Sequence, residues 1–281
     1  MIATLLRQLA GLSVAGFLAF APAGALAADA SPWSADGRSG VRLIAGGVSR
    51  APVAPLRAGV EIKLATGWKT YWRYPGDSGV PPRFDFTGSQ NVRSVEIAWP
   101  APRRFSDDSG VTIGYTDNVV FPLSIVPKDD RKPVLLRLKL DYAVCEKLCV
   151  PVEGQGELTL DANGPTFDAA LDAAEAAVPK PARLGADGPL AVRTVRREGG
   201  EHPRIVVDVA APQTPVELFA EGPSADWALP VPEPVGGAAA GLQRFVFALD
   251  GVPPGASTNG AALTLTLVSG TQAIEVATHL D

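Results

Sequence analysis

The chain has two cysteines, Cys145 and Cys149 in Tyr142-Ala-Val-Cys-Glu-Lys-Leu-Cys-Val-Pro151, and they are the residues with most chemistry to offer. A disulfide across so short a loop removes little entropy from the unfolded chain, about 2 kcal/mol by the loop-closure relation, from which short stiff loops depart strongly. Structural bridges mainly serve chains too small to build a core, and this one has 281 residues. Thiol–disulfide exchange fits the pair better. It needs one thiolate that reaches a partner's disulfide sulfur in line and a second thiol close enough to resolve the mixed disulfide. Lys147 lowers a neighbouring thiol pKa and Glu146 opposes it, so the sequence fixes no value. Metal binding competes for such a pair, but no histidine or third thiol lies nearby to complete a zinc set. Met1, the single methionine, goes with the leader and leaves none for a soft copper site. Neither metal nor cofactor is expected, and an inert staple remains the alternative.

The elements that position the thiols are legible as well. Leu136, Leu138, Leu140, Tyr142 and Val144 share one parity, and Arg137, Lys139, Asp141 and Cys145 share the other. With a side-chain period of two, the first set faces a core and the second faces water, which places Cys145 on the solvated face at the strand tip. In the following run Leu158 and Leu160 point in and Glu157 and Thr159 point out, so a hairpin tip carries both thiols. Pro151 stiffens the return, and Gly154 and Gly156 relax it.

Comparable runs recur at Val41–Val48, Gly59–Ala65, Trp68–Tyr74, Val92–Trp99, Val119–Val126, Val134–Val144 and Gln155–Leu160, separated by turn-rich pieces such as Tyr74-Pro-Gly-Asp-Ser-Gly. Seven short strands at this spacing predict an immunoglobulin-like sandwich. The Ala-rich stretch Pro165–Val178 is the predicted helix, with Pro at its first position and Pro179 behind it, and reads as a bridge between domains. Strand signals resume at Leu190–Arg196, Arg204–Val209, Val216–Ala220, Leu242–Leu249, Ala262–Val268 and Ala273–Ala277, and Ser269-Gly-Thr-Gln reads as a hairpin turn. The expected fold is therefore all-β, two immunoglobulin-like sandwiches joined by a short helix. The second half lacks cysteine, and its histidines, His202 and His279, read as isolated surface residues.

The N-terminus reads as an export leader: Arg7, an apolar run from Leu9 to Ala21, and Ala25-Leu26-Ala27 as a cleavage pattern, with cutting expected after Ala27. That predicts a soluble periplasmic protein. A formal charge of −5 without a basic cluster argues against nucleic acid. Gly 29 and Pro 26 together make nearly a fifth of the chain, which suits many short strands joined by turns.

Four collinear stretches resemble the amino-terminal periplasmic domain of DsbD/ScsB-type thiol:disulfide interchange proteins. They are Gly67-Trp-Lys-Thr-Tyr-Trp-Arg-Tyr-Pro-Gly-Asp-Ser-Gly-Val-Pro-Pro82, Trp99-Pro-Ala-Pro-Arg-Arg-Phe105, Gly114-Tyr-Thr-Asp-Asn-Val-Val-Phe-Pro122 and Cys145-Glu-Lys-Leu-Cys-Val-Pro151. The two-sandwich layout is similar to the ScsB-type periplasmic region. The resemblance implies an immunoglobulin-like thiol:disulfide oxidoreductase of the protein-disulfide reductase type, which relays electrons from a DsbD/CcdA-like membrane donor to periplasmic thioredoxin-fold acceptors. It makes Cys149 the attacking thiol and Cys145 the resolving one. It places Tyr71 beside the thiols, with Trp72 and Pro151 in their surroundings. It implies a cap loop at Phe105-Ser-Asp-Asp-Ser109, which contributes Phe105, Asp107 and Asp108. The expected boundaries are a leader at 1–27, a tail at 28–39, the redox domain at 40–162, a helical linker at 163–182 and the second sandwich at 183–281. Without the family's multi-span and thioredoxin domains, the chain is expected to be a stand-alone form that depends on a separate membrane protein. The reading from another class is a non-enzymatic binding or chaperone-like protein with a structural disulfide.

Overall fold

The alternation along Val134–Cys145 persists in the folded chain: Leu136, Leu138, Leu140 and Tyr142 are buried, while Arg137, Lys139 and Asp141 are exposed. A computed structural model describes residues 28–47, 55–76, 79–107, 110–160 and 166–280. The leader and its cleavage site lie outside the described residues, as do Pro165 and Asp108.

The first part contains β1 (Ser34–Ala35), β2 (Ser39–Ala45), β3 (Leu56–Leu64), β4 (Lys69–Gly76), β5 (Arg83–Asp85), β6 (Val92–Ile97), β7 (Arg103–Asp107), β8 (Gly110–Thr116), β9 (Asn118–Pro127), β10 (Val134–Cys145) and β11 (Cys149–Leu160). One sheet has the order β1-β2-β3-β9-β6. The other has the order β11-β10-β4-β8-β7, with β5 also on β10. Their apolar faces meet around Ile62, Phe121, Leu136 and Trp72. Gly154 and Gly156 serve close packing rather than relaxing the hairpin. A Cβ on Gly154 would stand 3.0 Å from Val41, and one on Gly156 would stand 3.2 Å from Leu43, so bare backbone lets β11 lie against β2.

The helix α1 (Asp168–Ala176), which lies between the two sandwiches in sequence, is docked on the first. Leu171 is fully buried against Ile44 and Val120. Arg57 of β3 pairs with Asp168, Asp172 and Glu175 on the exposed side. Among the described residues no helix is long and apolar enough to cross a membrane.

The second sandwich holds β12 (Lys180–Ala182), β13 (Ala191–Glu198), β14 (Arg204–Ala210), β15 (Val216–Glu221), β16 (Glu233–Val235), β17 (Gln243–Ala248), β18 (Ala262–Ser269) and β19 (Gln272–His279). Its sheets have the orders β12-β19-β18-β15 and β13-β14-β17-β16. Ser269 opposes Gln272 across the β18–β19 turn, where Gly270 takes φ +61°. Glu217, Phe219 and Glu221 alternate onto the outer face of β15, and this face meets the first sandwich. Phe219 lies 5.6 Å from the Trp72 ring. A single apolar cluster therefore runs through both sandwiches.

Candidate redox site

The β10–β11 hairpin is in unbroken antiparallel register from Val134↔Leu160 to Cys145↔Cys149. The two cysteines are thus directly opposite at its tip, and Glu146-Lys147-Leu148 forms the loop. Their Cα atoms are 4.2 Å apart and their sulfurs are bonded. They differ in access: Cys149 is exposed, whereas Cys145 is only 7% exposed. Strand parity alone placed Cys145 in water, and the structure corrects that. Parity does hold to the strand end, but the outer face there is covered. Tyr71, Ala143 and Cys145 make a small apolar cluster of their own, separate from the main core.

Tyr71 arrives there because β4 lies beside β10, with Thr70 opposite Val144 and Lys69 opposite Cys145. Its hydroxyl oxygen is 2.9 Å from Cys149 Sγ. A disulfide sulfur carries no hydrogen, so Tyr71 donates. Two glycines make room for this arrangement. A Cβ on Gly79 would stand 2.6 Å from the edge of the Tyr71 ring, so bare backbone lies against that ring. A Cβ on Gly114 of β8 would stand 1.9 Å from the Thr70 carbonyl oxygen, so β8 and β4 approach closely only without a side chain there.

The other expected site residues are distributed around this centre. Trp72, one residue further along β4, points away from the thiols into the main core and is fully buried. Pro151 is exposed on β11 opposite Ala143. The stretch expected as a cap loop begins as a strand: Phe105 and Asp107 belong to β7, with Phe105 opposite Thr112 and Asp107 opposite Gly110 of β8. Phe105 is half-buried, and its ring centroid lies 5.8 Å from Lys69 Nζ. Lys69 therefore links the Cys145 rung to the β7–β8 hairpin. The sequence reading missed Lys69, Gly79 and Arg73. A lone arginine inside the aromatic run Thr70-Tyr-Trp-Arg-Tyr74 was the available signal, because a charge in a buried strand needs a partner.

Among the described residues no group of three or more His, Cys, Asp or Glu side chains is placed to hold a metal ion. What the geometry offers is a bonded pair with one exposed and one buried cysteine, and a phenol donating to the sulfur of the exposed one. Residues 46–161, from just after β2 through the thiol hairpin, match the family described as the thiol:disulfide interchange protein DsbD, N-terminal. This segment is similar to DsbD-type amino-terminal domains. The matched segment carries both cysteines and Tyr71. The fold extends beyond it. The chain is similar to the crystal structure of the N-terminal periplasmic domain of ScsB from Proteus mirabilis, with 22% identity and a TM-score of 0.68 over 90% of this chain and 98% of that one. At that identity the likeness speaks for the fold, and its extent takes in both immunoglobulin-like sandwiches. Among curated proteins none matches the chain.

Proposed function

We propose that the protein is a periplasmic thiol:disulfide interchange module in which Cys149 exchanges with partners and Cys145 resolves. The observation that carries this reading is the asymmetry of the pair: Cys149 is an exposed residue, whereas Cys145 is buried in a cluster with Tyr71 and Ala143. In the reduced protein, the Cys149 thiolate attacks one sulfur of a partner disulfide. An intermolecular S–S bond forms, and the other partner sulfur leaves as a thiolate. The Cys145 thiolate then attacks Cys149 Sγ, which releases the second partner thiolate and leaves the Cys145–Cys149 disulfide. Two electrons pass to the partner, and a dithiol donor returns them by the reverse sequence. The Tyr71 hydroxyl, 2.9 Å from Cys149 Sγ, stabilises the thiolate form of Cys149 by donating to it. In this reading Phe105 on β7, near Lys69, shields the pair, and Pro151 borders the partner's approach; the part expected for Asp107 and Asp108 falls on side chains outside the described residues.

The donor is a membrane protein of the DsbD/CcdA kind, the acceptors are periplasmic thioredoxin-fold proteins, and the leader is removed after Ala27. The exchanging unit is residues 40–162, followed by a linker at 163–182 and a second sandwich at 183–281. Equilibration of the full chain with glutathione buffers tests this reading. A reduction potential above about −300 mV is expected, whereas an inert structural bridge lies below it.

A further inference from the structure

Strand β4 carries Tyr71 and, over the next three residues, the contact with the second sandwich. Its ladder with β10 covers only Lys69 and Thr70. Its ladder with β8 runs from Lys69 to Tyr71 and then slips, resuming only at Gly76↔Thr112. Between Tyr71 and Gly76 the register with β8 is thus shifted by a bulge, and side-chain contacts help to set the path of this stretch. Three consecutive side chains of this stretch are held by the second sandwich. Trp72 packs on Phe219 at 5.6 Å. The Tyr74 hydroxyl donates to the Leu229 carbonyl at 2.6 Å. Arg73 forks onto both oxygens of Glu221, at 2.8 and 2.7 Å, and onto Glu275 of another strand, while its guanidinium lies 4.6 Å from the Trp72 ring. Burial works against the Arg73 charge, but its bonds to Glu221 and Glu275 outweigh burial and hold it firmly protonated. A planar guanidinium bound in this bidentate way fixes both position and orientation, which a flexible ammonium does less well.

We infer that the second sandwich is a positioning element for the thiol pair: through Arg73 it anchors the bulged stretch of β4 that aims the Tyr71 hydroxyl at Cys149. The inference rests on the reading that Cys149 is the exchanging thiol, and it gives the cysteine-free half of the chain a part in the chemistry. Arg73 is two residues from Tyr71 and touches neither sulfur, so it acts through the tyrosine. Without the clamp, residues 72–75 relax, Tyr71 loses its aim, and the Cys149 thiolate loses a donor.

The test is the pH profile of Cys149 alkylation by iodoacetamide in the full chain, with Cys145→Ser in the background so that a single thiol reacts. Losing one hydrogen bond to the thiolate should raise the thiol pKa and slow the reaction at pH 7 about three- to tenfold in Tyr71→Phe. Arg73→Ala should slow it to a similar extent, Arg73→Lys less, and Glu275→Gln, changed only in the second sandwich, should move the profile in the same direction. Arg73→Ala added to Tyr71→Phe should give no further fall, because the two act in series. A profile like that of the unmodified background in Arg73→Ala, Arg73→Lys and Glu275→Gln, whatever their melting temperatures, would overturn the inference. Additive slowing in the double variant would overturn it too. Should Arg73→Ala not fold, Arg73→Lys and Glu275→Gln decide alone. Failure of the interchange reading itself shows elsewhere, in a disulfide that does not equilibrate with glutathione.

Discussion

Gly114→Ala should damage the thiol site without touching a thiol. The glycine lies opposite Tyr71 on β8, and an added Cβ would stand 1.9 Å from the Thr70 carbonyl oxygen, 2.9 Å from its carbon and 3.0 Å from the Tyr71 Cα. Backbone cannot rotate away as a side chain can. The strands must separate until the first distance reaches at least 3.0 Å, an opening of 3.0 − 1.9 = 1.1 Å. Overpacking of this kind costs about 1–3 kcal/mol. At 2–4 °C per kcal/mol for a protein of this size, a cost of about 2 kcal/mol lowers the Tm by about 4–8 °C. The same displacement shifts Tyr71, whose hydroxyl is 2.9 Å from Cys149 Sγ, so alkylation of reduced Cys149 at pH 7 should slow as well. Calorimetry and alkylation kinetics on the same sample read both effects. A Gly114→Ala protein with unchanged Tm and unchanged thiol reactivity would refute the close β4–β8 approach on which this site depends.

Leu171→Ala should undock α1. Its side chain is fully buried against Ile44 and Val120 and its methyl groups fill the space over Gly46 and Gly59, so the loss should be about 3 kcal/mol, read as a lower urea midpoint at unchanged slope. Asp168 accepts from the Gly47 N–H and the Thr166 hydroxyl, both at 2.8 Å, and these bonds, with Arg57 beside it, hold its carboxyl below the usual carboxylate range. A depressed folded-state pKa gives stability that is present above the unfolded value of about 4 and is lost as pH falls toward the folded one. The gap in urea midpoint between the parent and Asp168→Asn should therefore be constant from pH 5 to 8 and narrow below pH 4.

Where strand periodicity was strong, the sequence reading and the fold agree. The alternation from Leu136 to Tyr142 correctly separates core from water, and the parity of Leu158 and Leu160 predicts the return strand. The Leu263-Thr-Leu-Thr-Leu run and its Ser269-Gly-Thr-Gln turn likewise appear as β18 and β19. What period-two reading cannot report is whether an outward face is covered. Cys145 does point outward, but β4 delivers Tyr71 over it, and that neighbour is more than 70 residues away in sequence. The stretch Phe105-Ser-Asp-Asp-Ser109 was expected as a loop because the family resemblance implies a cap there. It pairs nonetheless, because β7 is an edge strand whose Arg104 backbone N–H is met by Glu217 of the second sandwich at 3.0 Å. The role of Arg73 was hidden for the same reason, since its partners Glu221 and Glu275 lie in the other half of the chain.

Trapping of mixed disulfides in single-cysteine variants tests the central claim most directly. With Cys145→Ser, the exposed Cys149 can still attack a partner disulfide and nothing remains to resolve the product, so non-reducing electrophoresis of a periplasmic extract should show a reducible complex. With Cys149→Ser, the remaining sulfur is the buried one under Tyr71, and little should be trapped. A complex formed by Cys149→Ser and not by Cys145→Ser would reverse the assignment of the two thiols. No complex with either variant would contradict the interchange account and leave the Cys145–Cys149 bond as an inert staple.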